Sequence, residues 1–318
     1  MRLPEHWGLN LNQGVVSMTD RMSRLRQRMI EDMNARQLSA GTQKAHIRSC
    51  KRFAAFLGHS PETASREDIR RFQHHLADEA SLCTRNVVMS GVKFLFRVTL
   101  RRLDLAEEIY YLSEPQRIPL IFSVSEAKRL LAVARTLKAR VLLSIAYGTG
   151  MRAGEVTRLK VGDIDSEQMI IRVVQGKGKK DRQVKLPKDL LGLLRAWWPV
   201  RSKRYDADKS LSERWLFPGQ GEDRPMSTRQ FNRLFHEARR LAGIAKAVTL
   251  HSLRHSFATH LLEQGTDIRV IQALLGHSKL DATARYTRVA TGLIAKVESP
   301  LDLLSTPKSG TKKRKKPT

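Results

Sequence analysis

Residues 251–286 read HSLRHSFATHLLEQGTDIRVIQALLGHSKLDATARY, and they combine helical spacing with chemically active side chains. Apolar residues recur at helical intervals in both halves of the stretch, with a glycine between the halves, which predicts two short helices. His251 and Arg254 are three residues apart, so they share one helix face and can reach the same ligand. His277 follows the second helix, and Tyr286 lies nine residues further on. The stretch predicts a site for an anionic group with a potential nucleophile beside it.

The composition of the whole chain favours a polyanionic partner. The 318 residues contain 58 Lys and Arg against 31 Asp and Glu, a formal net charge of +27. Six of the basic residues lie in the acid-free segment 308–318, and removing them from +27 leaves +21. A surplus of that size across folded sequence favours nucleic acid, although it does not separate DNA from RNA.

Several classes of protein are disfavoured by the same sequence. No apolar run approaches the roughly 18 residues of a membrane span, and the N-terminus lacks the apolar segment of a secretory signal. The two cysteines, Cys50 and Cys83, have no CxxC spacing, which argues against a disulfide framework or a cysteine zinc site. These features predict a cytoplasmic protein.

Periodicity and composition predict two domains. After a leader at 1–20 without periodicity, four short helices are expected in a helical domain at 21–105. Residues 106–120 contain two prolines and are interpreted as a linker. A second domain at 121–304 is predicted to be mainly α with a small antiparallel β-sheet, and 305–318 is predicted to be a basic disordered tail.

Local patterns refine this outline. Ser65 followed by Asp68 predicts a capping box at the start of a helix. Residues 84–103 predict one long helix, and residues 139–147 are apolar nearly all round, which predicts a buried helix. Residues 163–165 are interpreted as a turn.

Basic side chains line the polar faces of the first domain, where they could contact phosphates. The alternative is an ordinary solvated face. The candidates are Lys44, Arg48, Lys51, Arg52, Arg85, Lys93 and Arg97.

In the second domain, Arg152 follows a glycine-bounded turn and begins the next element, close to backbone N–H groups that can receive an anion. The β-like runs 169–174 and 183–186 flank GKGKKD, which predicts a hairpin with Lys177 at its tip. Each feature is weak alone, because an arginine at a helix start or a lysine at a hairpin tip is usually only solvated.

Two cofactor alternatives are disfavoured. His251 and His255 are four residues apart, as in some zinc helices, but HExxH is absent and no third ligand at the usual spacing stands out. The pattern GxxxxGK[ST] is absent as well, which argues against nucleotide binding.

In their order and spacing, these motifs resemble the tyrosine recombinase (lambda-integrase) family. The residues that carry the resemblance are Arg152 in GTGMRAGE, Lys177 in GKGKKDR, His251 and Arg254 in HSLRH, His277 ending LLGH, and Tyr286. The resemblance covers about 117–304 in detail, and 21–105 resembles the family's core-binding, DNA-clamping domain more loosely. Among its branches, the compact bacterial Xer-type and mobile-element integrases are the most similar.

The resemblance implies a catalytic mechanism. Tyr286 would attack a DNA phosphodiester, form a 3′-phosphotyrosyl link and free a 5′-hydroxyl. Arg152 and Arg254 would clamp the non-bridging oxygens as charge builds in the transition state. Lys177 would protonate the departing oxygen, and His251 would act as base toward Tyr286.

The remaining site residues have supporting roles in this scheme. His277 would hydrogen-bond the phosphate or buttress the pocket, and Glu155 would orient its neighbours. Lys179 and Lys180 are further candidates for DNA contact. No metal or nucleotide cofactor is implied, because the covalent link conserves the energy needed for rejoining.

The implied reaction is site-specific recombination of double-stranded DNA through a four-way junction, in integration, excision, transposition or resolution. The partners would be a specific recombination site, a homo- or hetero-tetramer on DNA, and possible accessory DNA-bending proteins or a second recombinase. Exchange of a C-terminal helix between protomers would involve 289–304, for which a plain packed helix is the alternative. The protein would work in the cytoplasm at the nucleoid.

Two other functions remain open from sequence. A type IB topoisomerase would share the cleavage chemistry and relax a supercoiled plasmid that lacks any special site. A non-catalytic DNA-binding regulator would bind with steep salt dependence and never become covalently attached.

Overall fold

A computed structural model describes residues 23–115, 118–174, 181–220, 223–277, 281–284 and 286–287. The chain divides into two compact units, Met1–Gln116 and Arg117–Thr318. The boundary falls inside the predicted linker at 106–120. The first unit nevertheless keeps the start of that segment, because Ala106 and Ile109 are buried in its core.

The first unit is helical over the residues that the structure describes. Its helices are α1 (Arg24–Ala35), α2 (Ala40–Leu57), α3 (Arg66–Glu79), α4 (Leu82–Phe94) and α5 (Leu103–Glu107), with a 3₁₀ turn at Pro61–Thr63. Each of the first four begins after a serine whose hydroxyl accepts a backbone N–H of the first turn, namely Ser23, Ser39, Ser65 and Ser81. The predicted capping box of Ser65 and Asp68 is confirmed.

The helix predicted at 84–103 is confirmed as far as Leu100, but its last part is not α-helical. α4 changes to π-helical hydrogen bonding over Leu95–Leu100, and the chain leaves the helix at Arg101 with φ +56°. A π turn holds one residue more than an α turn, so neighbouring side chains can point into different clusters. Leu95 packs with the methionines of α1, while Phe96 packs in the main core of this unit.

The second unit contains eight α-helices in its described residues. They are α6 (Val124–Ala132), α7 (Leu137–Thr149), α8 (Ala153–Thr157), α9 (Lys188–Val200), α10 (Thr228–Leu241), α11 (Leu250–Glu263), α12 (Ile268–Leu275) and α13 (Asp281–Ala284). The prediction of a buried helix at 139–147 is confirmed by α7, which contacts α6, α9, α10 and α11. The core of this unit therefore surrounds α7.

A three-stranded antiparallel sheet completes the second unit, in the order β1 (Ile164–Asp165), β2 (Ile170–Val173) and β3 (Arg182–Lys185). The predicted turn at 163–165 is wrong, because Ile164 pairs with Ile171 as an edge strand. The turn follows β1 and connects it to β2. Asp165 Oδ1 accepts the backbone N–H groups of Glu167 and Gln168 and so closes the chain reversal.

The observed fold matches the predicted class of a mainly helical protein with a small antiparallel sheet. Within the described ranges, no helix combines the length and the apolar character that a bilayer crossing requires.

Candidate active site

Arg254 is the buried centre of the site. It lies on α11 with 1% of its surface exposed. Its Nη1 donates to the carbonyl of Gly150 and its Nη2 to the carbonyl of Leu275, both at 2.7 Å, and Nη2 also lies 3.0 Å from Nε2 of His277. Burial, assisted by the positive charge of Arg152, lowers the pKa of Arg254 to about 10. One guanidinium thus joins the end of α7, the end of α12 and the predicted site histidine.

Gly150 ends α7 in a conformation that this contact requires. Its φ is +64°, and an added Cβ would lie 2.4 Å from Cδ1 of Phe257. A side chain here would be strained by the backbone and blocked by the ring. The glycine therefore lets the end of α7 approach α11 closely enough for its carbonyl to receive Arg254.

Arg152 and Glu155 form a pair at the start of α8. Arg152 precedes the helix, and Glu155 Oε2 accepts its backbone N–H at 2.8 Å. The other carboxylate oxygen accepts Nη1 of Arg152 at 2.9 Å. The Arg152 side chain is 24% exposed and that of Glu155 is 4% exposed. The acid is therefore internal, while the arginine it holds reaches solvent.

Arg182 is a member of this cluster that sequence reasoning missed. From β3 it donates to both carboxylate oxygens of Glu155, at 2.6 and 3.1 Å, and its Nε donates to the carbonyl of Leu274 at 2.8 Å. Burial alone would raise the pKa of Glu155, but the bonds to Arg182 and the Arg152 amide bring it down to about 2. The sequence did contain a signal for Arg182. Side chains alternate along a strand, which places Arg182 on the same face of β3 as Val184, and Val184 is buried.

His277 is held through both ring nitrogens. Its Nδ1 lies 2.9 Å from Oγ1 of Thr283, and its Nε2 faces Arg254. Because a guanidinium can only donate, Nε2 is the accepting nitrogen, and Nδ1–H donates to Thr283. Thr283, which sequence reasoning also missed, is fully buried, and no motif marked it.

Tyr286 lies beside this histidine and is 2% exposed. Its ring stacks on that of His277 with centroids 6.3 Å apart. Its Oη is 3.3 Å from Nδ1 of His255, and the His251 ring packs edge-on against His255 at 4.5 Å. His255, one helical turn after the predicted base, therefore lies within hydrogen-bond distance of Tyr286.

The described residues contain no group of three or more His, Cys, Asp and Glu side chains arranged to hold a metal ion. Lys177, Lys179 and Lys180 lie outside the described residues. Of the predicted catalytic residues, the structure brings together Arg152, Arg254, His277 and Tyr286, with His251 joined through His255.

The predicted phosphate-contacting residues of the first unit differ in exposure. Lys44, Arg48 and Lys51 are exposed on one face of α2, and Arg97 is exposed as well. Arg52 pairs with Glu79 at 3.3 Å. These exposed positions remain candidates for contact with DNA.

Arg85 and Lys93 make internal contacts instead. Arg85 is 1% exposed, and its guanidinium bonds Gln73 Oε1 and the carbonyl of Tyr110, both at 3.4 Å. The prediction that Arg85 contacts DNA is wrong in this structure, because its charge is buried against Tyr110, whose ring lies 4.8 Å away. Lys93, half-buried, donates to the carbonyl of Ile109 at 2.8 Å.

Comparison with known protein families decides the identity of the fold. The phage integrase family matches residues 121–292, and the phage integrase N-terminal SAM-like domain matches residues 25–104. The chain belongs to the phage integrase family. It is a tyrosine recombinase, an enzyme that cleaves and rejoins DNA in site-specific recombination.

Individual relatives agree with this assignment. A Sinorhizobium fredii protein, provisionally named integrase/recombinase y4qK, is 40% identical over 289 residues, covering 90% of this chain and 91% of that protein. Tyrosine recombinase XerA of Thermococcus kodakarensis is 37% identical over 242 residues, covering 74% and 81%. The crystal structure of a lambda integrase dimer bound to a COC′ core site shares the fold, with a TM-score of 0.63, 18% identity, and coverage of 82% and 93%.

Proposed function

We propose that Tyr286 is the nucleophile of this recombinase and that Arg152, Arg254 and His277 bind the scissile phosphate. The observation that carries the proposal is the Arg254 guanidinium, which contacts His277 at 3.0 Å and lies close enough to Arg152 and Tyr286 for both to act on its pKa. Two arginines, a histidine and a phenol then lie close together. This combination suits a phosphodiester whose negative charge grows during attack.

Cleavage would proceed by attack of Tyr286 Oη on phosphorus. The bond between phosphorus and the 5′-oxygen breaks, a 3′-phosphotyrosyl link forms, and a 5′-hydroxyl departs. Because Tyr286 is 2% exposed, the segment that bears it has to expose the phenol before the hydroxyl can reach DNA. Rejoining is the reverse reaction, with a 5′-hydroxyl of the second duplex as nucleophile.

The proton transfers need one acid and one base. Lys177 is our proposed acid for the departing 5′-oxygen, and His251 is our proposed base for the phenol. His255 extends this assignment, because its Nδ1 lies 3.3 Å from Tyr286 Oη and its ring contacts that of His251. His255 is therefore a second candidate for this base.

The larger assembly follows from the same proposal. The first unit would clamp DNA with the exposed basic face of α2 and with Arg97, and Lys179 and Lys180 would add contacts from the second unit. Four protomers, identical or from two recombinases, would act on one pair of recombination sites, with possible DNA-bending accessory proteins. Residues 289–304 are our candidate for the exchanged segment. We place this activity in the cytoplasm at the nucleoid.

The nucleophile assignment can be tested with nicked duplexes made from the DNA that flanks the gene. A nick beside the cleavage site lets a short strand diffuse away and traps the covalent complex, which survives denaturing electrophoresis. Tyr286→Phe should abolish this complex. Tyr147→Phe should retain it, because the Tyr147 hydroxyl lies 2.9 Å from Nδ1 of His260, which is not one of the proposed phosphate-binding residues. A covalent complex with Tyr286→Phe would disprove the assignment.

A further inference from the structure

Arg182 connects two separate parts of the proposed active site. Through its two Nη atoms it holds the carboxylate of Glu155, which in turn holds Arg152. Through Nε it holds the carbonyl of Leu274 at the end of α12, three residues before His277. Its side chain is 9% exposed, so these bonds are largely shielded from water.

We propose that Arg182 is a positioning residue for DNA cleavage, which fixes Arg152 through Glu155 and His277 through the end of α12. This inference rests on the proposed function, because it assumes that Arg152 and His277 bind the phosphate. Arg182 itself belongs to β3, the strand that follows the lysine-rich segment 175–180. The contacts described above join it to other residues of the protein.

The link to Arg152 depends on the charge of Glu155. Among the described residues, Arg152, Arg182 and Arg254 interact with this carboxylate, and Arg182 makes two direct bonds to it from outside its own helix. Without Arg182, the pKa of Glu155 would lose the largest of the interactions that lower it, so that the acid would protonate at a higher pH. A neutral carboxyl would hold the Arg152 guanidinium less firmly.

The link to His277 uses carbonyls at the end of α12, where the last turn of a helix leaves carbonyl groups without a partner in the helix itself. The carbonyl of Leu274 receives Arg182, and that of the next residue, Leu275, receives Arg254. Two guanidinium groups at the negative end of a helix dipole favour one fixed position for that end.

The turn after α12 is fitted to the same arginine. Gly276 has φ +64°, and an added Cβ would lie 2.9 Å from Cδ of Arg182. The aliphatic part of Arg182 thus packs against the residue that precedes His277. Lysine cannot reproduce this arrangement, since one ammonium lacks the planar fork that reaches two carboxylate oxygens and a carbonyl together.

The test compares Arg182→Met and Arg182→Lys with a matched control, Arg201→Met. Arg201 is 3% exposed, and both of its Nη atoms bond Asp206, at 3.3 and 2.5 Å. It belongs to the same unit, and its other described partners are Ser202 and the ring of Trp198, so it reproduces the loss of a buried arginine pair without touching the site. Single-turnover cleavage of a nicked duplex is measured from pH 5 to 8 at saturating DNA, on protein shown to be folded by circular dichroism.

Arg182→Met should cleave about 100-fold more slowly, the order expected when a catalytic group is misplaced by about 1 Å, with little change in DNA affinity. Its rate should also fall further as the pH drops toward 5, because Glu155 gains a proton. Arg182→Lys keeps a positive charge near Glu155. This variant should also cleave slowly, but its rate should not fall further as the pH drops. Wild type and Arg201→Met should show neither effect.

A double variant checks that Arg182 acts through Glu155. If it does, Glu155→Gln combined with Arg182→Met should be hardly slower than the slower single variant. Cleavage by Arg182→Met at the rate and with the pH profile of Arg201→Met would overturn the inference. If Arg182→Met does not fold, Arg182→Lys decides, because a wild-type rate for that variant overturns it equally.

The outcome is separable from that of the proposed function. Loss of the covalent complex in Tyr286→Phe together with unaffected Arg182 variants would remove this inference alone. A covalent complex in Tyr286→Phe would remove the nucleophile assignment, while slow cleavage by Arg182→Met would still support the positioning role.

Discussion

Nη1 of Arg254 donates to the carbonyl oxygen of Gly150 at 2.7 Å, although 104 positions separate the two residues in the sequence. The bond ties the end of α7, the buried helix of the second unit, to the helix that carries His251 and His255. A phosphate-binding residue is therefore also a structural connector. Changes at either end of this bond should alter both stability and activity.

Gly150→Ala should destabilise the second unit by about 2–5 kcal/mol, since it combines a positive φ with a Cβ that overlaps Phe257. Gly192→Ala is the control. Gly192 lies within α9, and an added Cβ there meets no heavy atom within 4 Å. Alanine at that position should stabilise by about 0.5–1 kcal/mol. Urea unfolding measures both, and equal effects of the two substitutions would contradict the prediction.

Glu155 should make the stability of the second unit depend on pH. Its pKa is about 2 in the folded protein against an ordinary value of 4.5, which corresponds to up to about 3 kcal/mol of stability. Because the folded-state pKa is depressed, this stabilisation is present above pH 4.5 and is lost as the pH falls toward 2. The difference in unfolding free energy between wild type and Glu155→Gln should therefore shrink over that interval.

A carboxylate of the first unit provides a comparison for this measurement. The bond to the Ser65 backbone, with help from Arg71, lowers the pKa of Asp68 to about 2. Asp68→Asn should change acid stability in the same direction while leaving the rate of DNA cleavage intact. A constant difference between wild type and Glu155→Gln from pH 6 to 2 would show that Glu155 is not the titrating group.

The basic face of α2 should contribute to the salt dependence of DNA binding. Replacing Lys44, Arg48 and Lys51 by Gln should lower the slope of log affinity against log salt by about 2–3, close to one per lost phosphate contact. Arg85→Met should leave the slope unchanged and lower the unfolding midpoint, because Arg85 is buried. An unchanged slope in the triple variant would remove α2 from the DNA interface.

The two cysteines should react at different rates in the native protein. Both are free, and Cys83 is exposed. Burial raises the pKa of the Cys50 thiol to about 12, and its sulfur lies 3.7 Å from that of Met29. A disulfide reagent at pH 8 should therefore label one thiol quickly, and Cys83→Ser should remove this fast phase. Rapid labelling of two thiols in the wild type would contradict the prediction.

Much of the fold could be predicted because its signals are local. The Ser65–Asp68 capping box and the apolar helix α7 each follow from a few neighbouring residues. The ordered motifs likewise allowed the candidate site to be predicted before any geometry was known. Their roles in catalysis remain predictions.

The features that sequence reasoning missed depend on distant partners. Arg182 and Glu155 are 27 residues apart, and their bond exists because β3 lies next to the start of α8. Arg85 fits a basic helix face by spacing, yet Gln73 and Tyr110 enclose it from other segments. A pattern along one helix gives the direction of a side chain, while tertiary packing decides whether that direction leads to solvent or to a partner.

The double duty of Arg254 has a practical consequence for preparing trapped complexes. A substitution at Arg254 would leave the carbonyls of Gly150 and Leu275 without a donor, so an inactive protein obtained that way could also be a misassembled one. Tyr286→Phe removes one oxygen and keeps the ring that stacks on His277. It is therefore the better choice for capturing this recombinase on intact DNA by crystallography or cryo-electron microscopy.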